Sequence, residues 1–581
     1  MAVPATECEP CLLSADGLGS GTRSHVHNNL VQKKFQYRKT ERTDKTKTEN
    51  AEAEIPTQTK MKRILTTVIC SLVGINSMLM ADSSRPRLVV GILVDQLRTD
   101  YIEYLRRHFG ERGFNLLMQK GAYLRDISFP PTVSDAVCAT AVTQTGSDPS
   151  ANGIAAAETF DRQSRNSRET LASTTPIQGR YSPENLLLST ISDEVAIDGI
   201  GLGAVYSIAV NPQQAVALAG HAGTSAVWLD PESGRWTTSG WYKELPLPVA
   251  LRNRNASPAA TLDTMRWEPA LELDRYPGIP AQKRYYPFRH TFPVNDRDAY
   301  RRWALSPMAN REVTDIAVDY IKQLRLGGRG DAIDMLGVAY TAAPFKYVKD
   351  GDFRLELEDT YIRLDRQLQR LFDAIEEGPG LDNTVIYLTS TGYYNDASVD
   401  DPKYRIPGGD FSKKRALSLL NAFLSARFGN ADYICGFHGP QIYLDHRNIE
   451  TRKLNADDVA RAASEFMSRM SGVRGAYTVT DIISEATPRL ASLRRGIDLR
   501  TCGDLYIDFQ PGWNVSDDTR FPTDTQPTRG SMVSTPAFIM APGTAPRIID
   551  TPVDVRRLAP TVTQILRIRS PNGVELRPIM L

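Results

Sequence analysis

The sequence predicts an α/β fold with a mostly parallel sheet that is covered by helices on both faces. Three continuous apolar runs, rich in β-branched residues, have the length of central strands buried on both sides: Leu88–Val94, Ile333–Ala339 and Thr384–Thr389. Amphipathic helical patterns separate these runs along the chain. Strands that alternate with helices are typical of parallel sheets, because the helices supply the crossover connections.

The other elements are predicted from the same periodicities, in chain order. They are a helix through Tyr101, Leu105 and Phe109, a strand over Gly121–Ile127, an amphipathic helix over Ser182–Ile197 with Pro183 at its start, short strands at Ala204–Ile208 and Ala215–Ala219, and a long helix over Glu356–Ile375. Residues 241–295 and 404–513 are irregular and rich in proline and aromatic residues, which indicates insertions that cover one end of the sheet. In sheets of this class the chemistry lies at the carboxyl ends of the strands.

The net charge of the chain argues against nucleic acid as a partner. The chain has 581 residues with 69 basic against 68 acidic side chains, so the formal net charge is +1. A near-neutral chain has no overall field to attract nucleic acid or an acidic membrane surface. We therefore expect no nucleic-acid partner. We also expect the protein to be a monomer.

The first 81 residues predict export. Residues 33–60 are dense in charged and polar side chains and are expected to be disordered. Met61-Lys62-Arg63, an apolar run over Ile64–Leu79 and Ala81 form a signal-peptide pattern over residues 61–81. Signal peptides begin at the initiator methionine, so we interpret residues 1–60 as an upstream extension of the gene model. A retained membrane anchor stays open as an alternative, although the run falls short of about 20 apolar residues.

We therefore expect the mature chain, from Asp82, to be periplasmic or associated with the cell envelope, with no stable membrane span after cleavage. It retains Cys138, Cys435 and Cys502. Three cysteines are too few for a disulfide framework, although one bridge is permitted in an oxidising compartment.

Ordered motifs from Arg85 to Gly573 resemble a known family. They are Arg85–Tyr101, Pro131-Thr132-Val133, Thr145-Gly146-Ser147, Gly153-Ile154, Ser182-Pro-Glu-Asn-Leu186, Ala219-Gly220-His221, Glu358-Asp-Thr-Tyr-Ile-Arg-Leu-Asp365, Ile406-Pro-Gly-Gly409, Pro511-Gly-Trp513, Leu558-Ala-Pro-Thr561 and Pro571-Asn-Gly573. In this order they closely resemble the monomeric, phosphate-irrepressible alkaline phosphatases, which are kin of the nucleotide pyrophosphatase/phosphodiesterases within the alkaline phosphatase superfamily. The resemblance implies an alkaline-phosphatase-like domain over residues 82–581.

The resemblance also implies the chemistry. Family members hydrolyse phosphate esters with two zinc ions that clamp the attacking and leaving oxygens. Six carboxylate and imidazole ligands hold the zinc ions. A Thr or Ser hydroxyl is the nucleophile, and an Asn with a Lys/Arg pair binds the other phosphate oxygens.

Position by position, most of these residues are replaced here. Asp95 keeps the first metal ligand, and Ser134 stands at the nucleophile position, although Asp135–Thr145 is two residues longer than the family's loop. The remaining ligand and phosphate-binding positions carry Ala155–Glu158, Asn211 and Gln213, Pro344 and Val348, Thr391 and Gly392, and Arg529. We therefore expect no zinc cofactor.

For each residue at these positions, a purely structural role is the alternative to a functional one. Asp95 either binds a cation or accepts backbone N–H groups, and Ser134 is either a nucleophile or an ordinary loop serine. Arg529 either pairs with Asp95 in the metal's place or faces solvent. The other side chains weighed are His221, interpreted as structural, His438 and His446, candidates for a rebuilt metal site, and Tyr393-Tyr394, which either line a pocket or pack internally.

Two functions from different classes follow. The first is a non-catalytic binding or scaffolding module for an unknown ligand or envelope partner. The second is an active phosphomonoesterase or phosphodiesterase with a rebuilt site, which would need new His, Asp and Glu ligands at the same sheet edge. Because so many positions are replaced, the sequence favours the first.

Overall fold

The computed structural model describes residues 85–175, 179–279, 281–348, 351–394, 408–516, 525–526 and 533–581. All of these residues fall in one compact unit. The predicted leader over residues 1–60 and the predicted signal peptide over residues 61–81 lie outside the described residues, as does Arg529. No helix in the described ranges is long and apolar enough to cross a membrane.

A nine-stranded sheet forms the centre of the fold. Its strands, numbered in chain order, are β1 (Leu88–Asp95), β2 (Ala122–Leu124), β3 (Val205–Ile208), β4 (Ser225–Asp230), β5 (Arg235–Thr237), β6 (Asp334–Thr341), β7 (Thr384–Ser390), β8 (Ala537–Met540) and β9 (Arg547–Ile549). Their order across the sheet is β9-β2-β8-β7-β1-β6-β3-β4-β5. The pairs β1–β6, β1–β7, β6–β3, β3–β4 and β2–β9 are parallel, and β8 and β5 pair antiparallel with their neighbours. The predicted mostly parallel α/β sheet is confirmed.

Both faces of the sheet are buried. On β1, Val90 and Ile92 belong to one hydrophobic cluster, whereas Val89 and Leu93 belong to clusters on the opposite face. The helices that cover the sheet are Thr99–Leu105, Phe114–Lys120, Ala136–Thr145, Pro149–Asn152, Ile191–Asp198, Pro212–Ala219, Leu247–Asn255, Pro258–Thr261, Ala299–Ala304, Pro307–Gln323, Arg354–Glu377 and Leu558–Leu566.

Two sequence predictions were wrong. Ala215–Ala219 is helical and not a strand, because Pro212 occupies the first turn of the helix Pro212–Ala219 and the Asn211 side chain caps it. The predicted helix over Ser182–Ile197 begins only at Ile191, where Thr190 and Asp193 form a capping box. Pro183 lies in the irregular segment before it.

Residues 408–516 form a separate substructure that contains its own hydrophobic cluster. Its four-stranded sheet runs in the order Ile434–His438, Gln441–Leu444, Leu505–Phe509, Val473–Thr478. The helices are Lys413–Phe428, His446–Thr451, Ala456–Met467, Val479–Ser484 and Pro488–Arg495. The short strands elsewhere pair as Glu158–Asp161 with Asn166–Glu169, Arg266–Trp267 with His290–Thr291, Ile127–Ser128 with Val553–Asp554, and Gly409–Ser412 with Trp513–Ser516 and Thr525–Gln526.

Candidate functional site

A cavity of about 410 Å³ opens at the carboxyl edge of the main sheet. Three neighbouring strands contribute residues to the lining of this cavity. Strand β1 ends at Asp95, β6 ends at Thr341, and Asn211 follows β3. The described residues that line it are Asp95, Asp135, Ala136, Val137, Ala157, Val210, Asn211, Gln214, Ala304, Leu305, Ala309, Asn310, Ala339, Tyr340, Thr341 and Tyr393. This is the edge where the parallel topology places ligand sites.

Neutral side chains surround the Asp95 carboxyl group. Its Oδ1 accepts hydrogen bonds from the Thr391 hydroxyl at 2.9 Å and from the Tyr393 hydroxyl at 2.6 Å. The Gln96 amide donates to Oδ2 at 3.4 Å. Asp95 was predicted either to bind a cation or to accept backbone N–H groups. Its hydrogen bonds come from side chains, and cation binding by Asp95 stays a prediction.

Burial makes the ionised form of Asp95 costly. Desolvation raises the pKa of Asp95 above its ordinary value, and the hydrogen bonds from Tyr393, Thr391 and Gln96 offset this only in part. The pKa of the Tyr393 hydroxyl is also raised well above its usual range, by burial first and then by the neighbouring Asp95 carboxylate. Tyr393 therefore stays neutral and donates a hydrogen bond to Asp95.

Asp135 brings a second carboxyl group to the cavity. It caps the helix Ala136–Thr145, where its Oδ1 accepts from the backbone N–H groups of Val137 and Cys138. Its Oδ2 accepts from the Ala157 N–H at 3.1 Å. Burial raises the pKa of Asp135, and the charge of Asp95 adds a smaller contribution in the same direction.

Three carboxamide side chains, Asn211, Gln214 and Asn310, also line the cavity. Asn211 accepts from two N–H groups of the helix that it caps, and Asn310 exchanges two hydrogen bonds with the backbone of Thr341. Gln214 differs, because its side chain is 7% exposed and its Nε2 has no hydrogen-bond partner. An unmade hydrogen bond at a buried donor is costly, so this amide is ready to meet a ligand acceptor.

Several other predicted site residues are not among the residues that line the cavity. Ser134 is half-buried in the loop before Asp135 and is not a lining residue. Gln213 is buried and accepts the Leu171 N–H. Pro344 and Val348 follow β6 without reaching the lining, and Val348 packs against the main hydrophobic cluster.

The candidate histidines have other partners. His221 contacts Asp193 through Nδ1 at 3.0 Å and the Leu186 carbonyl through Nε2 at 2.8 Å. His446 contacts Asp504 at 2.7 Å, and His438 stacks on Phe160. None of the three lines the cavity.

The residues described at this edge do not fit a two-zinc centre. Zinc prefers imidazole, thiolate and carboxylate donors, whereas the groups nearest to Asp95 are the hydroxyls of Thr391 and Tyr393. Asp135 already accepts three backbone N–H groups. Within the described part of the chain, no group of three or more His, Cys, Asp or Glu side chains could hold a metal ion. The expected loss of zinc remains a prediction for experiment.

Comparison with known proteins relates this fold to a family. The model of the type I phosphodiesterase / nucleotide pyrophosphatase family matches residues 89–532. A protein of Myroides odoratus named calcium-transporting ATPase is 26% identical over 545 residues, which cover 88% of this chain and 97% of that protein. Alkaline phosphatase PafA of Elizabethkingia meningoseptica is 27% identical over 522 residues, covering 85% of this chain and 94% of that protein.

A solved structure agrees with these sequence matches. The crystal structure of wild-type alkaline phosphatase PafA matches with a TM-score of 0.74 at 26% identity, covering 85% of this chain and 98% of that chain. The resemblance to the alkaline phosphatase superfamily, predicted from the ordered motifs, is confirmed.

Proposed function

The chain belongs to the type I phosphodiesterase / nucleotide pyrophosphatase family, and we propose that it is an exported, non-catalytic member of that family. In this proposal the cavity at the carboxyl edge binds a small polar ligand and does not hydrolyse phosphate esters. The observation that carries the proposal is the hydrogen bonding of Asp95, which stands at the one metal-ligand position that the resemblance finds retained. Its Oδ1 is occupied by two neutral hydroxyl donors, and one of them, Thr391, stands where the resemblance implies another metal ligand.

The charge of the cavity supports the proposal. Among the described residues, its lining contains two carboxyl groups and no lysine, arginine or histidine. A transferring phosphoryl group develops negative charge that the site must stabilise, and removal of a single donor of this kind costs about 10²–10³ in rate. Asp95 and Asp135 would repel that charge.

The hydrogen-bonding groups indicate the ligand that would suit this cavity. Gln214 offers a buried N–H donor without a protein partner, and Asn211 and Tyr393 border the same space. Much of the remaining lining is aliphatic. A neutral compound with hydroxyl or carbonyl groups, such as a sugar or a peptide amide, would complement such a lining better than an anion would.

One experiment separates this proposal from an active hydrolase with a rebuilt site. The chain from Asp82 to Leu581 is purified, incubated with zinc, desalted and measured for bound metal. Hydrolysis of aryl phosphate monoesters and diesters is followed in parallel, with alkaline phosphatase PafA as the positive control. We expect less than one equivalent of zinc and no turnover above background. Two equivalents of tightly held zinc with metal-dependent turnover would overturn the proposal.

A second measurement tests the binding role directly. Thermal unfolding of the same protein is followed with neutral sugars, peptide amides and inorganic phosphate. The Gln214→Leu variant is the matched control, since it keeps the volume of the side chain and removes the unpartnered donor. Stabilisation by a neutral compound that the variant loses supports the proposal, whereas stabilisation by phosphate alone contradicts it.

A further inference from the structure

The amino edge of the main sheet, opposite the cavity, carries an exposed apolar turn. Ile200 is 89% exposed and Leu202 is 80% exposed, in the turn that follows the helix Ile191–Asp198. Ile197, in the last turn of that helix, is 55% exposed. Three large apolar side chains within six residues of one another contribute little to a core, and clustered exposed apolar surface marks sites of interaction.

The backbone of this turn is also strained. Ile200 has a φ of +49°, which is a genuine outlier for a β-branched residue. Glycines flank it, and a β-carbon on Gly203 would overlap the Ile333 carbonyl oxygen. Strain of this kind persists where the surrounding structure imposes it, and it clusters at functional sites. Here it presents an isoleucine to solvent.

Arginines line a second cavity at the same edge, of about 340 Å³. Among the described residues that line it, the charged side chains are Arg85, Arg547 and Arg567, and none is acidic. Arg85 connects this cavity to the apolar turn, because its Nη2 pairs with Asp198 at 2.7 Å. On the other side, Arg547 donates to the carbonyl of Met580, whose side chain is 85% exposed.

We propose that this amino edge docks on an anionic lipid membrane, with the arginine-lined cavity receiving a phosphate headgroup and the turn at Ile200 and Leu202 entering the interfacial layer. Guanidinium groups suit phosphate oxygens, and apolar side chains beside basic ones are the combination that interfacial binding uses. The near-neutral net charge provides no long-range attraction, so the binding relies on this local cluster.

This edge lies opposite the carboxyl-edge cavity, which suits membrane docking. Arg85, the first described residue, lies just before β1 at this edge, so the predicted mature chain from Asp82 enters the described fold here. Strand β1 has eight residues and therefore spans about 26 Å from this edge to Asp95. A protein docked in this way would present its carboxyl-edge cavity to the aqueous phase. The proposal does not depend on whether that cavity is catalytic.

The test uses the chain from Asp82, which contains all of the described fold as one compact unit. It is mixed with vesicles of phosphatidylcholine, or of phosphatidylcholine with about one third phosphatidylglycerol, and the bound fraction is measured by flotation. We expect binding to the anionic vesicles that weakens with salt, and little binding to the neutral ones.

Two variants test the residues that carry the proposal. I200D/L202D changes only exposed side chains and should lower vesicle affinity at least about tenfold. R547E should lower it roughly fivefold or more. Leu419→Asp, on the helix Lys413–Phe428 and 45% exposed in the wild-type protein, is the matched control that should bind as the wild type does. Unfolding temperatures confirm that each variant is folded.

Several results would overturn the docking proposal. They are equal binding to neutral and anionic vesicles, wild-type binding by I200D/L202D, and absence of vesicle binding. If inorganic phosphate stabilises the wild type but not R547E while vesicles do not bind, the arginine cavity is a site for free anions and membrane docking is wrong. If the wild type binds no vesicle but self-associates through Ile200 and Leu202, the turn serves a protein contact instead.

Discussion

Two buried carboxylates in this molecule differ in what surrounds them. Asp359, on the helix Arg354–Glu377, is fully buried and pairs with Arg363 at 2.6 Å. Asp95, at the cavity, accepts hydrogen bonds from the neutral side chains of Thr391 and Tyr393. The further donors to Asp359 are the Trp267 indole, the Tyr276 hydroxyl and the Ala270 N–H.

The difference lies in where the partner of each carboxylate is found. The partners of Asp359 belong to the chain itself, and several come from residues 266–276, so this carboxylate ties that segment to the core. In the family that the sequence resembles, the partner of the residue at position 95 is a metal ion. We infer that a carboxylate with internal partners is kept because the fold depends on it. By contrast, a carboxylate whose partner is a bound ion can lose the neighbouring ligands of that ion while the fold stays intact.

The largest expected effect tests the internal network. Asp359→Asn should destabilise the protein by about 3–5 kcal/mol, because it leaves the Arg363 guanidinium largely buried without its counter-charge. Urea unfolding at neutral pH measures the loss. D359N/R363M should recover part of it, since both charges are then absent. A loss below about 1 kcal/mol would show that the network contributes little to stability.

The next prediction restores a residue type that the resemblance implies. Gly392→His should cost about 2–4 kcal/mol, since Gly392 has a φ of +74° and a β-carbon there would overlap the Phe129 ring. The unfolding midpoint measures the cost, and Gly392→Ala isolates the contribution of the backbone and the β-carbon. A stable G392H protein that gains zinc affinity would contradict both the packing argument and the loss of the metal site.

A smaller, pH-dependent effect is expected at His221. Its contact with Asp193 raises the pKa of His221 and helps to lower that of Asp193. A raised histidine pKa contributes stability that is present below pH 6.5 and lost as pH rises through the folded value. A lowered aspartate pKa contributes stability that is lost as pH falls through its folded value.

His221→Gln should therefore cost about 1 kcal/mol near pH 5 and less above neutral pH. Thermal unfolding of both proteins across this range measures the difference. A cost that does not change with pH would show that hydrogen bonding, and not charge, accounts for the role of His221.

The smallest effect should have the opposite sign. Burial raises the pKa of Asp95, so its contribution to stability is present below the ordinary value of 3.8 and is lost as pH rises through the raised value. Asp95→Asn should therefore be more stable than the wild type at pH 8, by on the order of 1 kcal/mol, and equal to it near pH 3. Thermal unfolding in the presence of a chelator measures this. Strong destabilisation at pH 8 that appears only when zinc is present would indicate a working metal ligand.

Much of the fold could be predicted because its central strands are unambiguous in sequence. Runs such as Leu88–Val94 are continuous and apolar, and only a strand buried on both faces suits them. Ala215–Ala219 misled the prediction because a short apolar run fits either a strand or a buried helix. The decisive signal was local, in the Asn211-Pro212 pair that begins the helix.

The site was less predictable, since its residues come together only in three dimensions. The strand ends correctly indicated the edge where Asp95 and Tyr393 meet. Asp135 was missed because the resemblance drew attention to Ser134, although an Asp before a helical run is a capping signal. Gln214 and Asn310 lie within helices and carry no sequence signal that separates them from other buried amides.

The order of strands in the main sheet has a consequence for synthesis. β8 lies between β2 and β7 and comes from residues 537–540, near the end of the chain. Until that segment has left the ribosome, β2 and β7 have no common neighbour and the sheet remains in two pieces. The part of the core that these strands cover is therefore completed only after residues 537–540 have been synthesised. For the export proposed above, such late completion of the sheet would favour a chain that is still unfolded when it is translocated.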